Sequence, residues 1–595
     1  MSLRGREEMD PIYMWDLSDI FKDCDEWEAA FSEAEASVAQ LPSLRGTLTG
    51  SKKALKTGLD AIYAAAEQVE RVYLFANLRK ESDNGDPLYQ EIAGRAVNLF
   101  VEFSSAISFM SPELLSAGDE WLRKAAAYGA LSAYRHELCD IARRRAHTLD
   151  ERGEDMLSRL SDAASTPSDA FGMLESVDMT FPSTHDADGR EVPLTHGTYQ
   201  SFMSSGVREV RREAYEKYFG EFKRYINTFA AMYGGSVKFD EYFAGVRSFD
   251  SARDAALFAS NVPTEVYDSL VEAVHGGLPD MRRYTELRRR VLGLEQLEMY
   301  DLYCPIVSGV DREYTYEEAC GLVLEACRPL GERYGELLRR AMNERWIDVY
   351  ENRGKTTGAF SCGVYGVHPY VLMNFTGRLD DVFTLAHELG HAMHSYLSDE
   401  AQPFPSHDYK ITVAEVASTV NEVLLTKYLL GAEDDPHRRA HILNHFLEGF
   451  RTTVFRQTLF AEFESRAHKM YRDGTPLTAE SLGKLYRELN LTYYEGVNVG
   501  ELHSVEWARI PHFYRAFYVY QYATGFCAAT AIAQNITDSG DASEYLRFLT
   551  TGGSDYPTEE LKIAGVDLTS PEPVRRALGV FAETVNEMER VMDSL

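Results

Sequence analysis

Long apolar runs are missing from this sequence. No window reaches the roughly 18 apolar residues that a membrane helix needs. The best stretch, "FCAATAIAQN" from Phe526, is too short and reads as a buried helix. Positive charge is scarce: 61 Lys and Arg face 93 Asp and Glu, for a net charge of −32. That deficit argues against nucleic acid and anionic lipid as partners and favours neutral or cationic ligands. Cysteines number seven in 595 residues, and none forms a CxxC pair. An odd, scattered set excludes a disulfide framework and a thiolate zinc site, and it fits a reducing compartment. The start, "MSLRGREEMDPIYMW", has no apolar segment and no small-residue cleavage site. No signal peptide is read there, and the expectation is a soluble, cytoplasmic protein.

What is present is helical period. Residues 16–41 open on a cap at Ser18 and carry Phe21, Trp27, Phe31 and Val38 on one stripe. Similar patterns run through 53–80, 86–110, 115–145 and 150–177, as expected for long antiparallel helices packed in pairs. The period then changes. "MTFPSTHDADGREVPL" (179–194) turns on Asp188-Gly189, a hairpin signal. A second β-rich interval spans 347–376, where "PYVLMNF" (369–375) reads as a strand. From 411 onward the chain is again mostly helical. The expected organisation is an N-terminal helical segment (1–110), a helical lobe ending in the hairpin (111–195) and a catalytic domain (196–595).

"LAHELGHAMH" (385–394) carries the chemistry. On a helix, His387 and His391 lie one turn apart on one face and can aim ring nitrogens at a single zinc ion. Glu388 stands beside the metal, placed to take a proton from water there. Chance alone gives fewer than about 0.07 such patterns in a chain of this composition. A catalytic zinc needs a third protein ligand. His394 is about 10.5 Å along the helix from His387, too far to share the ion, and reads as a supporting or packing residue. The acidic candidates are Asp399, Glu400, Asp408, Glu415 and Glu422. In "ITVAEVASTVNEVLLTKYLL" (411–430), Glu415 and Glu422 flank an apolar stripe two turns apart. One suits the metal and the other the free ring N–H of a ligand histidine. Spacing leaves open which is which. Near the C-terminus, His512, Tyr514, Tyr518, Tyr520 and Tyr522 crowd together. Imidazole and phenol donors can stabilise an oxyanion. The glycine-rich strand region before the motif could accept an extended peptide at its edge.

These pieces resemble the M3 family of zinc metallopeptidases, in its oligoendopeptidase F branch. The matching segments are "WDLSDIF", "GTYQSFMSSGVREVRREAYEKYF", "AALFASNVPTEVYDSLVEAV", "GKTTGAFSCGVYGVHPYVLMNF", "FTLAHELGHAMHSYL", "VAEVASTVNEVLL" and "IPHFYRAFYVYQYATG", in order over most of the chain. The resemblance implies a mainly α, two-lobed body with a small β region beside the active-site helix and a deep central channel. It implies one Zn2+ per chain, held by His387, His391 and Glu415, with Glu388 as general base and Glu422 orienting a ligand histidine. His512 and Tyr522 match donors facing the scissile carbonyl, and Tyr514 matches less closely. The implied substrates are short unstructured peptides, cut internally. Two alternatives stay open: a carboxypeptidase, with Arg353, Lys355 or Arg515 clamping the terminal carboxylate, and a zinc-containing peptide binder without turnover. Sequence leaves the oligomeric state unknown.

Overall fold

Helices form over nearly all the stretches that carry helical period. The computed structural model describes residues 3–307 and 312–595. The chain divides into two compact units, each assembled from three stretches: Met1–Thr148, Arg312–Tyr428 and Ile532–Val566 in the first, Leu149–Asp311, Leu429–Ala531 and Asp567–Leu595 in the second. Among the described residues, no helix is long and apolar enough to cross a membrane.

In the first unit, the leading helices are Cys24–Gln40, Lys52–Ser82 and Pro87–Ala106. Their starts are set by short polar side chains, which satisfy the N–H groups that a first turn leaves unpaired. Asp23 accepts from the N–H groups of Asp25 and Glu26, Ser51 from that of Ala54, and Asp86 from those of Leu88 and Tyr89. Ser18 is therefore not the cap expected from the sequence: Asp16 starts a short 3-10 turn there, and the helix begins at Cys24. Trp27, Phe31, Ala34 and Val38 form the buried stripe, and the Trp27 indole N–H donates to the Val72 carbonyl at 2.9 Å. The expected long helix over 115–145 is broken: Asp119–Ala126 and Arg135–Arg144 are separated by a 3-10 segment at Gly129–Tyr134.

The first unit also holds a mixed sheet of three short strands, β3 (Ile347–Asp348), β4 (Phe360–Cys362) and β5 (Tyr370–Leu372), in the order β3-β5-β4. β5 is the strand expected from "PYVLMNF", but it is central. The free edge beside it belongs to β4, which pairs antiparallel to β5. The buried Asp348 on β3 meets Lys355 at 2.7 Å and Arg6 at 2.6 Å, which ties the N-terminal residues to the sheet. Tyr370 donates to the Asp16 carbonyl at 3.0 Å, so the "WDLSDIF" segment lies against the same sheet.

The second unit is helical apart from the hairpin β1 (Thr184–His185) and β2 (Glu191–Val192). The turn falls where Asp188-Gly189 predicts it, and Gly189 adopts φ 79°, a conformation glycine takes without a Cβ penalty. Long helices at Arg208–Arg224, Ile226–Val246, Thr264–Val291, Arg456–Arg472 and Glu572–Ser594 make up most of the rest. Their core includes fully compensated charge. Asp301, with no exposure, accepts from Arg208 and Arg211, while Glu448 joins Arg288 and Arg451. Buried ions persist only when paired in this way.

Candidate metal centre and active site

The motif lies on the helix Leu379–Ala401. Asp381 fixes its start, its carboxylate accepting from the Thr376 and Arg378 N–H groups and the Thr376 hydroxyl. Leu385, Ala386, Leu389, Ala392 and Met393 bury one face. His387 and His391 then stand one turn apart, with Nε2 atoms 3.1 Å from each other. The helix Ile411–Ala432 brings a Glu415 oxygen to 3.7 Å from His387 Nε2. His387, His391 and Glu415 are the group that could hold an ion among the described residues, with one donor atom of each within 4.8 Å of the others.

The donor chemistry fits a divalent cation. His387 Nδ1 bonds the Glu422 carboxylate, which can only accept, so Nδ1 carries the hydrogen. His391 hydrogen-bonds the Ala414 backbone. Each histidine therefore turns Nε2 toward the other, and two lone pairs at that separation need a cation or a proton between them. Donors about 2.1 Å from one ion cannot lie more than about 4.2 Å apart. The two separations from His387, 3.1 Å to His391 and 3.7 Å to Glu415, meet that limit, and His391 and Glu415 lie within 4.8 Å of each other. Spacing left Glu415 and Glu422 interchangeable; the structure puts Glu415 toward Nε2 and Glu422 on Nδ1.

Electrostatics divide the roles further. Burial disfavours the His387 cation, but the Glu422 hydrogen bond and the charges of Glu422, Glu388 and Glu415 outweigh it and raise its pKa to about 9. Burial and the neighbouring His387 charge push His391 down to about 3. Glu388 is buried, and desolvation, with Glu415 and Glu422 adding to it against His387, raises its carboxyl to about 7. Glu388, both histidines and Glu415 line one cavity of about 740 Å³, walled also by β4 and by the helix Lys52–Ser82.

Two residues that pattern reading passed over assemble this centre. A Cβ on Gly390 would lie 2.6 Å from Ser418 Cα and 2.8 Å from the Ala417 oxygen, so only glycine admits so close an approach of the two helices. Asn421, fully buried, donates to the Ala386 carbonyl at 3.1 Å and accepts from Tyr334. The signals were a glycine inside a helix and an amide in an apolar run.

Other candidates fall elsewhere. His394 supports no ligand: it is fully buried, neither ring nitrogen has a hydrogen-bond partner among the described residues, and its ring stacks on Tyr409 at 3.6 Å. Asp399 pairs with His407 rather than joining the metal group. Lys355, offered as a carboxylate clamp, is buried on Asp348. His512, Tyr514 and Tyr522 belong to the second unit. There the Tyr522 hydroxyl lies 3.4 Å from His512 Nε2, with Tyr518 against both rings. Burial, then Arg515, lowers the His512 pKa. Tyr514 packs on Phe171 at 4.6 Å and on Tyr233, in that unit's aromatic core.

The model of peptidase family M3 matches residues 201–580, and one described as Oligopeptidase F matches residues 113–181. This chain belongs to peptidase family M3. Within it, the chain is 41% identical to Oligopeptidase PepF of Bacillus subtilis, over 99% of this chain and 89% of that protein. The crystal structure of oligoendopeptidase-F from Enterococcus faecium is 35% identical, with a TM-score of 0.74, over 96% of this chain and 99% of that one. A crystal structure described as a peptidase from Chlamydophila abortus, 33% identical, has a TM-score of 0.94 over 99% of this chain and 100% of that one. The oligoendopeptidase F branch of M3 is a group of metalloendopeptidases, and the mainly helical fold agrees with it.

Proposed function

We propose that this M3 metalloendopeptidase is a zinc enzyme that cuts internal bonds of short, unstructured oligopeptides. The observation that carries the proposal is the meeting of His387, His391 and Glu415 beside a buried Glu388 in one cavity. Bound to those three side chains, zinc would supply a Lewis acid for the scissile carbonyl and lower the pKa of a water molecule beside it. Glu388 takes the proton of the attacking water and passes it to the leaving amine, a role its buried place beside both histidines in that cavity suits. Glu422 fixes the ring of His387 and the tautomer that presents its Nε2 lone pair. His512 and Tyr522 are proposed as hydrogen-bond donors to the carbonyl oxygen as it gains charge. Tyr514 contributes packing to their segment. An extended peptide can add to the free edge of β4, a mode that suits substrates without their own fold.

The test is a Glu388→Gln variant assayed on an end-blocked peptide, with products weighed by mass spectrometry before and after chelation. Retained metal with a rate loss of about 10²–10⁴-fold is expected for a lost general base. Normal cleavage by that variant would remove Glu388 from the mechanism. Products trimmed from one end only would replace the endopeptidase reading with a carboxypeptidase.

A further inference from the structure

The second unit holds a cavity of about 350 Å³ that the metal centre does not use. Two uncommon helix forms line it. The first is a 3-10 helix of nine residues, Glu501–Arg509. Runs longer than about four residues are uncommon in this form, because its hydrogen bonds are poorer than those of an α-helix. Three residues per turn bring every third side chain to one face. His503, Glu506 and Arg509 therefore stand in a row, and all three line the cavity. His512 keeps the spacing on the next 3-10 segment, Pro511–Tyr514, and lines the cavity too. An α-helix would turn each step by about 60° and scatter the row. The second form is the π-helical turn Phe450–Phe455, which gives Arg451 and Thr452 to the wall. Such turns are rare and frequent at functional sites.

Charge gives the cavity its sign. Arg451, Arg456 and Arg509 line it with one carboxylate, Glu506. Arg451 is held by Glu448 at 2.6 Å and Arg456 by Glu506 at 2.7 Å. The other Glu506 oxygen accepts from Tyr486 at 2.5 Å and lies 3.0 Å from His503. Arg509 is left over. It stands 3.9 Å from Glu506, too long for a hydrogen bond, and no carboxylate among the described residues comes closer. Its guanidinium lies over the rings of Tyr199 and Tyr218, 5.7 and 5.5 Å from their centres. Ring faces hold a guanidinium in place without using its N–H donors. The Tyr218 hydroxyl takes one of them. The Arg509 side chain is 28% exposed, so it has surface with which to meet a ligand. Gln200 and Pro511, both exposed, border the cavity and open it to solvent.

A held but unanswered guanidinium on an open cavity calls for an anion, which accepts its N–H groups in pairs. The anions that a peptide carries are carboxylates. We propose that this cavity is a substrate subsite in which Arg509 binds a carboxylate, either the free carboxyl terminus or the side chain of an aspartate or glutamate. This rests on the function proposed above, in which His512 donates to the carbonyl under attack. Arg509 is three residues from His512, at most about 10 Å of chain. That is about three residues of extended peptide. The carboxylate therefore belongs within about four residues of the bond cut.

The test uses metal-loaded enzyme and end-blocked, internally quenched peptides. One glutamate is walked through six positions on each side of the cut, each against its glutamine twin. A second arm shortens the peptide from its carboxyl end, each length as the free acid and as the amide. The acid should raise kcat/KM about tenfold or more over its neutral twin, at one or two neighbouring positions within four residues of the cut or at one length. The arm that shows the gain tells side chain from terminus. Arg509→Gln should bring the ratio below about threefold, and Arg509→Lys, which keeps the charge without the fork, should leave an intermediate value. The ratio is taken within each variant, so a general loss of rate cancels. Where circular dichroism shows Arg509→Gln misfolded, Arg509→Lys decides, and an unchanged ratio overturns the subsite. Equal rates for every acid and its twin, a gain spread over all positions, or a gain that survives Arg509→Gln also overturns it and leaves the endopeptidase intact. If no neutral peptide is cut internally, the endopeptidase reading fails instead. Fluorescence anisotropy of the same labelled peptides on the protein then decides the subsite: tighter binding of the acid than of its twin at one position supports it, and equal binding overturns it.

Discussion

Gly390→Ala tests how the centre is assembled, because it adds one methyl group where two helix backbones touch. The new Cβ would lie 2.6 Å from Ser418 Cα and 3.0 Å from Ser418 N, both backbone atoms that cannot rotate away. Restoring a contact of about 3.4 Å requires the helices to part by about 0.8 Å, in an interior packed too densely to absorb it locally. Glu415 moves with Ser418. Its oxygen is 3.7 Å from His387 Nε2. A rigid shift takes that distance to about 4.5 Å, beyond the roughly 4.2 Å that two donors on one ion can span. The Glu422 contact with His387 lengthens by the same motion. Stability should fall by about 1–3 kcal/mol, as for overpacking elsewhere, and metal affinity by at least about 10–100-fold. Competition with a chromophoric chelator measures the affinity, and urea unfolding with and without metal measures the rest. Gly431→Ala is the control: it lies near the end of the partner helix Ile411–Ala432 with nothing within 4 Å of its Cβ, so alanine should be neutral or stabilising by about 0.5–1 kcal/mol. Wild-type affinity and stability in Gly390→Ala would refute the claim that this approach sets the ligand geometry.

Two further outcomes follow from the electrostatics. With no metal bound, His387 keeps its proton up to a pKa of about 9. A cation must displace that proton, so apparent affinity should rise about tenfold per pH unit from 7 to 9 and level off above, with a steeper fall below 7 as Glu388 protonates. The same shift stabilises the metal-free fold below the ordinary histidine pKa and is lost as pH rises through about 9. A pH-independent chelator titration would refute both. In the second unit, Glu464 is fully buried, with its carboxyl pushed well above the usual range by desolvation, and it accepts the Phe517 N–H at 2.7 Å. Phe517 holds φ 56° between His512 and Tyr522. Glu464→Gln, which keeps a neutral acceptor, should leave stability within about 1 kcal/mol, whereas Glu464→Ala should cost about 1–3 kcal/mol for the orphaned N–H. Equal damage by both variants in urea unfolding would show that the carboxylate charge is needed.

The difference between what could be read from the chain and what could not follows the range of each interaction. His387, Glu388 and His391 were legible because a helix places residues four apart on one face whatever surrounds it. The hairpin was legible because Asp188-Gly189 meets a local demand for positive φ. Glu415 and Glu422 were found as a pair but not told apart, since both sit at equivalent spacing and only the rotation of one helix against the other decides which reaches Nε2. That rotation is set by Gly390 and Asn421, whose meaning lies in a neighbour about 30 residues away. β5 was legible as a strand, but its central place was not, because the order β3-β5-β4 is set by pairing in space. The remaining wall of the metal cavity had no signature at all: Glu70 and Asp399 are separated by more than half the chain and meet only through the packing of the helix Lys52–Ser82 against the segment that follows the motif. Chemistry carried by one helix can thus be read from spacing, while geometry built between helices has to be read from the fold.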